Sequence, residues 1–452
     1  MSKYRTRCNS RLPRHQHSVL NGNASISISI SYFTPCQRIY TVAIEASYPG
    51  TKLKPLRNIV ILDLSKVFAG PFCSQQLSDL GAKVIKVEPV HTGDDTRTWE
   101  PKREGQSSPF LAFNRNKKSL AIDIKSREGL DIIYTLTKQA DVVIQSFKSS
   151  TAKKLQIDYD SLSALNEKLI YCEITGYGSG GPLSDLPGYD VMLQAFAGII
   201  STIGEPDGPH TRVSYAAVDL GTGMFGATSI LAALLERSQS GKGVHVELSL
   251  LDTAISLMSY LAQNYLTTGE PPRKTGWANT AIVPYQAFRA SDGDIMVGVG
   301  NDSQWQQMCR VFDREEWIND PRLKTNADRV QNYSVTAELV QGVLIKESIN
   351  CWLERLGNAG IPCAPIYSFD ETVAHPHTVA RGQIVNTNHP TLGDLRLVGF
   401  PAMFNNEPRS VESPPPLHGQ HSIEILEDAG YSTDAIMELI ERDLVYQGDS
   451  AS

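Results

Sequence analysis

From residue 58 onward, short apolar runs alternate with amphipathic stretches. Residues 59–64 (Ile-Val-Ile-Leu-Asp-Leu) make an apolar run of strand length, fit for burial on both faces. Ala69-Gly70-Pro71 then turns into an amphipathic segment over 72–80, which Pro71 is placed to begin and Gly81 to stop. Further strands are predicted over 83–87, 119–124, 141–145 and 169–174, with a helix over 128–138. Strand and helix in repetition predict an α/β fold: an open parallel sheet with helices on both faces and ligands at the carboxyl ends of its strands.

The pattern then changes. Helices are predicted over 191–200, 224–237 and 248–266, with a short strand at 244–248. Between Pro284 and Gln307, strands around the turn Ser291-Asp-Gly-Asp294 predict a hairpin, and helices follow over 303–312 and 336–356. The first part of a large domain is therefore expected over 56–270 and a smaller α+β domain over 275–360. A return linker and the C-terminal part of the large domain take 361–445, with a hairpin near Gly393-Asp394 and a terminal helix.

The run at 169–174 opens into a loop with five glycines (Gly176, Gly178, Gly180, Gly181, Gly188) and two prolines, Pro182 and Pro187. No helix or strand interior holds that composition. Asp190 ends the loop, directly before the apolar run at 191–200. Asp in that place is a preferred helix N-cap. The same carboxylate, kept ionised by the positive end of the helix, would also face a substrate held in the glycine loop. The two roles are compatible.

The 452 residues are 41% hydrophobic and 20% charged, an ordinary globular composition, with no apolar run long enough to predict a membrane span. Residues 1–55 hold eight Lys or Arg against one acid, Glu45, whereas the remainder carries 34 basic and 48 acidic side chains. So acidic a body argues against a nucleic-acid partner. The Arg-rich, Ser-rich, acid-poor start reads as a mitochondrial transit peptide, or else a disordered tail, outside the fold. Seven cysteines without a Cys-x-x-Cys fit reduced thiols. No Gly-x-Gly-x-x-Gly follows the first strand and no phosphate-binding P-loop occurs, so nicotinamide dinucleotide and nucleoside triphosphate lose their main support.

Asn114-Arg-Asn-Lys-Lys-Ser119 gathers three cations and two amides at a strand edge, either a solvated basic turn or a contact for phosphate. Arg97, in Asp94-Asp-Thr-Arg-Thr-Trp99, pairs with its acidic neighbours or receives a substrate carboxylate. No histidine lies between His91 and His210, so none near Asp190 in sequence can be its base, and neither a metal site nor a Ser-His-Asp triad is expected.

Taken in order, Val67-Phe-Ala-Gly-Pro-Phe72, Leu80-Gly-Ala-Lys-Val-Ile-Lys-Val-Glu88, Gly93-Asp-Asp-Thr-Arg97, Asn114-Arg-Asn-Lys-Lys-Ser119, Ile174-Thr-Gly-Tyr-Gly178, Gly188-Tyr-Asp190 and Pro415-Pro-Leu-His-Gly-Gln-His421 resemble the signatures of family III CoA-transferases. The resemblance runs from about residue 57 to 440. It implies a Rossmann-like large domain, a small domain and two ring-like subunits threaded into an interlocked homodimer. It implies acyl-CoA as substrate, with no permanently bound cofactor, and Asp190 as a nucleophile that carries CoA as a thioester. It places Val67, Asn114, Asn116, Lys117 and Lys118 against CoA, and offers loop N–H groups such as those of Gly176 and Gly178 to an oxyanion. Succinyl-CoA is the implied donor, and glutarate, hydroxymethylglutarate or itaconate the implied acceptor. The acceptor's second carboxylate would fall to Arg97, Arg115 or Arg212. Two segments depart from the family pattern: Phe147-Lys-Ser-Ser150, where relatives have Pro-Gly, and Trp277-Ala-Asn-Thr-Ala281, where they carry a glycine- or histidine-bearing covering loop.

Two rival readings stand beside this one. Racemisation of an α-methylacyl-CoA needs acid/base groups on both faces of the α-carbon, but the histidine that serves in those relatives is matched here by Asp160. A non-catalytic acyl-CoA-binding protein would bind CoA equally well without Asp190.

Overall fold

The structure is a computed structural model that describes residues 53–279 and 281–448. The segment read as a targeting peptide lies almost wholly outside them. Six strands build the main sheet: β1 (Val60–Asp63), β2 (Lys83–Glu88), β3 (Lys117–Ile122), β4 (Val142–Gln145), β5 (Ile170–Thr175) and β6 (Val244–Ser249). All neighbours among them are parallel, in the order β3-β2-β1-β4-β5-β6. That is the Rossmann order, in which the chain reverses its direction of travel between β1 and β4. The sheet is not parallel throughout, because Val445–Tyr446 adds a short antiparallel strand beside β3.

Both faces are covered, which explains the apolar runs. Ile61, Val142 and Ile170 point into one core with Ala69, Cys73 and Leu77 of α1 (Ala69–Asp79). Their chain neighbours Leu62, Val143 and Tyr171 point into the other core, with Ile132 and Ile133 of α2 (Arg127–Gln139). Since successive residues of a strand face opposite ways, a strand buried twice cannot alternate with polar residues. The helices Ser422–Asp428 and Thr433–Glu441 close the second face through Ile425, Leu426 and Ile436.

Three more helices frame the glycine loop: α3 (Asp190–Phe196), α4 (Ala217–Ser240) and α5 (Leu250–Leu257). The helix expected over 191–200 is split, because Gly198 takes φ +86° and a separate turn, Ile199–Thr202, follows. The one expected over 248–266 is likewise two, α5 and Ser259–Thr268, with Ser259 at φ +53° between them. Among the described residues α4 is long and apolar enough to cross a membrane by length and composition alone, and half of that stretch is packed inside the fold.

A second, antiparallel sheet pairs Tyr285–Arg289 with Asp294–Gly298 in the expected hairpin. Its third strand is Cys363–Pro365, so part of the expected linker is sheet. Helices Asp302–Val311, Tyr333–Leu344 and Ile349–Asn358 pack on it around Trp305, Leu344 and Trp352. The single helix expected over 336–356 breaks because Ser348 caps a new one, its hydroxyl accepting from the amide of Cys351.

Candidate active site

Rossmann sheets bind ligands where the strand order reverses, outside the carboxyl ends. A cavity of about 240 Å³ opens there, between the residues that follow β1 (Lys66, Val67, Phe68) and those that follow β4 (Ser146, Phe147, Lys148). Its floor takes in Thr175, Gly176, Gly188 and Tyr189 of the glycine loop, and Asp219 from the first turn of α4. Val67 holds φ +68° there, a strained value for a β-branched residue, with its amide directed at the Asp94 carboxylate 3.3 Å away.

The glycine loop has a neck. A Cβ added to Gly188 would stand 2.6 Å from the Cα of Gly176, and one on Gly176 would stand 2.8 Å from the Cα of Gly188. The loop's two ends touch backbone to backbone, which only glycine permits, and Asp190 follows two residues later. Gly178, at φ +91°, donates its amide to Thr175 Oγ1 at 3.0 Å and belongs to the loop's own turn.

Asp190 is the first residue of α3, yet it does not cap that helix. The cap position is Tyr189, which has no side-chain cap bond. The carboxylate turns instead to the head of α4, where Oδ2 accepts from the amides of Val218 at 2.7 Å and Asp219 at 3.1 Å. Oδ1 accepts from Gln194 Nε2, one turn further along α3. Gln194 is itself fully buried and pinned by the Val213 amide, which donates to its Oε1 at 3.0 Å. A carboxylate with two helix-head amides on one oxygen and a fixed amide on the other is held in one orientation, and Asp190 is 9% exposed. Beside it, burial and the charge of Asp190 push the Asp219 carboxyl up to about 7.

Comparison with known proteins identifies the family. The sequence model of CoA-transferase family III matches residues 56–422. The chain belongs to that family. It is 36% identical over 400 residues to the human succinyl-CoA:glutarate CoA-transferase, covering 88% of this chain and 91% of that protein. A succinate–glutarate CoA-transferase of Agrobacterium fabrum is 35% identical over 395 residues, 86% of this chain and 97% of its own. In structure, a CAIB/BAIF family protein from Brucella suis superposes with a TM-score of 0.74 at 34% identity, over 84% of this chain and all of that one. The protein is a CoA-transferase, and its substrates are CoA thioesters.

The structure puts the cations singled out in the transferase's sequence to other uses. Lys117 is fully buried, its Nζ bonded to Pro71 O at 2.8 Å and Asn114 Oδ1 at 2.9 Å and lying 3.3 Å from Asp63 Oδ2. Arg115 pairs with Asp79 through Nε at 2.9 Å, and Asn116 donates to the same Asp79. Asn114 donates to Phe110 O at 2.9 Å, and Lys118 pairs with Glu424. Arg97 clasps the buried Glu88 at 2.6 and 2.7 Å, stacks on Phe110 and reaches Pro416 O. It lines a second cavity of about 240 Å³, with Ser107, His418 and Tyr446, that shares no residue with the first. Arg115 and Lys117 of the basic cluster are thus paired inside the fold, Lys118 is paired at the surface, and none of the three lines the crevice. Arg212 is exposed and sits beside Val213, the residue that pins Gln194.

The crevice's own cations went unnoticed. Lys66 and Lys148 line it together with the first residues of α1. Lys148 belongs to the Phe147-Lys-Ser-Ser150 departure from the family pattern, and the next residue, Ser149, ties this turn to β5 by donating to Glu173. Asp219 was missed because α4 was expected to begin at Met224; it begins at Ala217.

Proposed function

We propose that this chain moves CoA from succinyl-CoA to a dicarboxylic acid through an aspartyl-CoA thioester at Asp190. The observation that carries the reading is the pair of α4 amides on Asp190 Oδ2. They leave Oδ1, which accepts only from the Gln194 side chain, as the attacking oxygen.

Oδ1 adds to the donor thioester, the C–S bond breaks, and a mixed anhydride and free CoA result. The CoA sulfur adds to Cγ of Asp190, and the charge then falls on Oδ2, where the amides of Val218 and Asp219 already sit; this serves as an oxyanion hole for the aspartyl carbonyl. Succinate leaves. The acceptor carboxylate attacks the aspartyl thioester, and the released CoA takes the acceptor's acyl group, restoring Asp190. Each bond broken is matched by one of similar energy, so no nucleotide is consumed.

The head of α1 with Lys66 and Lys148 suits the phosphates of CoA, through helix-end amides and point charges. For an acceptor's far carboxylate the candidate is Arg212, exposed and bonded to the carbonyls of Val213 and Ser214. The relatives' names support succinyl-CoA as donor and glutarate among the acceptors. A homodimer is supported by the large apolar side chains exposed on α3, α4 and the helix Ser259–Thr268, among them Met192, Phe196, Met224, Leu235, Tyr260 and Leu266. The mitochondrial address rests on the composition of residues 1–55.

The test is a panel of dicarboxylic acids incubated with succinyl-CoA, with new acyl-CoA followed by chromatography, and enzyme quenched with borohydride in mid-turnover. A reduced residue at 190 and a loss of roughly 10³-fold or more in Asp190→Ala are expected. Unmodified Asp190, or exchange surviving the alanine, would refute the reading.

A further inference from the structure

Two carboxyls adjoin at the head of α4, Asp219 in the lining of the crevice and Asp190 bonded to the α4 amides, and the mechanism above employs only Asp190. Asp219 gives its amide to the nucleophile's Oδ2 at 3.1 Å, while its side chain, 8% exposed, lines the cavity where the thioester must lie. Among the described residues no donor reaches the Asp219 carboxyl. The charged groups on the elements packed against α4 are engaged elsewhere. Asp79 of α1 holds Arg115, and Asp252 of α5 is bound by the Ser249 hydroxyl at 2.6 Å. Glu173 of β5 takes Ser149 and His245, and Glu247 of β6 takes the Ser179 amide at 2.6 Å. Along the crevice wall Lys66 pairs with Asp95 at 3.4 Å, and Lys148 stands at the head of the 149–154 turn. Asp190 is therefore the charge that acts on Asp219.

We propose that Asp190 and Asp219 carry one negative charge between them, and that the Asp219 carboxyl protonates the departing CoA sulfur and takes the proton back when the thiol returns. This rests on the covalent reading of Asp190. At the start Asp190 is ionised and Asp219 protonated. As Oδ1 bonds to the acyl carbon and the C–S bond breaks, the proton moves from Asp219 to sulfur, leaving a neutral anhydride, CoA thiol and ionised Asp219. Charge and atoms balance without a further reactant.

The timing follows from the electrostatics. Burial and the neighbouring carboxylate hold the Asp219 carboxyl up at about 7. Acylation abolishes the neighbour's charge, so Asp219 becomes a stronger acid at the moment the sulfur becomes a base. When the thiol attacks the aspartyl carbonyl, the ionised Asp219 removes its proton; when Asp190 is freed, its charge makes Asp219 hold a proton again.

The experiment is rapid-quench measurement of borohydride-trapped adduct at residue 190, from pH 5.5 to 8.5, in wild type, Asp219→Asn and Asp219→Glu. Wild-type trapping should slow above about pH 7, close to tenfold per unit, as Asp219 loses the proton it must donate. Asp219→Asn should still be trapped at Asp190, on the order of 10²-fold more slowly and without that falling limb. Asp219→Glu should regain part of the rate together with the limb. CoA binding by calorimetry on Asp219→Asn should be unchanged. Asparagine at the wild-type rate, or an equal slowing at every pH that keeps the wild-type profile, would overturn the proposal and leave Asp190 as nucleophile. A wild-type profile flat through pH 7 would overturn it without any variant. Failure to trap residue 190 in wild type would sink both readings together.

Discussion

Replacing Lys117 with methionine keeps the length of the side chain and takes its charge out of a fully buried cluster. The change separates two accounts of this residue, a phosphate contact for CoA and an internal strut under β1. In the strut account three acceptors lose a donor: Asp63 Oδ2 at 3.3 Å, Pro71 O at 2.8 Å and Asn114 Oδ1 at 2.9 Å. Asp63 retains the hydroxyls of Ser65 and Ser74 and the charge of Lys86, and Pro71 O retains Ser74 at 3.1 Å. Asn114 Oδ1 keeps no donor among the described residues. Breaking a buried pair by removing one partner costs about 3–5 kcal/mol. The shared partners and the relieved desolvation of the ammonium place this change near the lower end. With a urea m-value of about 3 kcal/mol/M, the midpoint should fall by about 1 M at fixed protein concentration. CoA affinity of the folded protein should be unchanged. Burial brings the Lys117 ammonium down to about 8 in the fold, against 10.5 in the open chain. Between those values the unfolded chain binds more protons, so wild-type stability rises with pH across the window and Lys117→Met should flatten the rise. An unmoved midpoint with tenfold weaker CoA binding would refute the strut and restore the phosphate contact.

Gly188→Ala places a Cβ 2.6 Å from backbone at Gly176, so the loop neck must open and carry Asp190 with it. Turnover is expected to fall at least tenfold, as for a misplaced catalytic group, while circular dichroism stays that of the wild type; unchanged turnover would show that the neck does not place the nucleophile. Although burial works to raise the Glu88 carboxyl, Arg97, Lys86 and the Ser119 hydroxyl together hold it well below the usual carboxylate range. Its contribution to stability is therefore present above about pH 4.5 and lost as pH falls below it. Glu88→Gln leaves Arg97 without its partner and should cost about 3–5 kcal/mol at pH 7, with a flatter acid limb in denaturant midpoints between pH 5 and 3; a limb as steep as the wild type's would refute this.

The strands of the main sheet were legible to within a residue or two, β1 to β5 because they are buried on both faces. Ile61 and Leu62 serve opposite cores, so the run is apolar whatever its neighbours are. The start of α4 was not legible. Its cap residue, Ala216, supplies no side-chain bond, and the first amides are satisfied by Asp190, 28 residues earlier. No local signal marks such a start, so the helix was read seven residues short and Asp219 went with the missing turn. The pairing of the cations at 115–118 was not legible for the mirror-image reason. A run of cations looks solvated in sequence, but Asp63, Asp79 and Glu424, all distant along the chain, neutralise three of them.

The order of residues alone determined where strands run, where the chain must turn, and that an aspartate heads the helix after a glycine loop. Those are properties of a few adjacent residues: hydrophobic periodicity, backbone freedom and capping preference. Tertiary structure decided which way that aspartate points, which amides hold it, that a second carboxyl stands beside it, and which cations face the crevice. Charge interactions scale with separation and with the dielectric between the groups, and a chain has neither until it has folded.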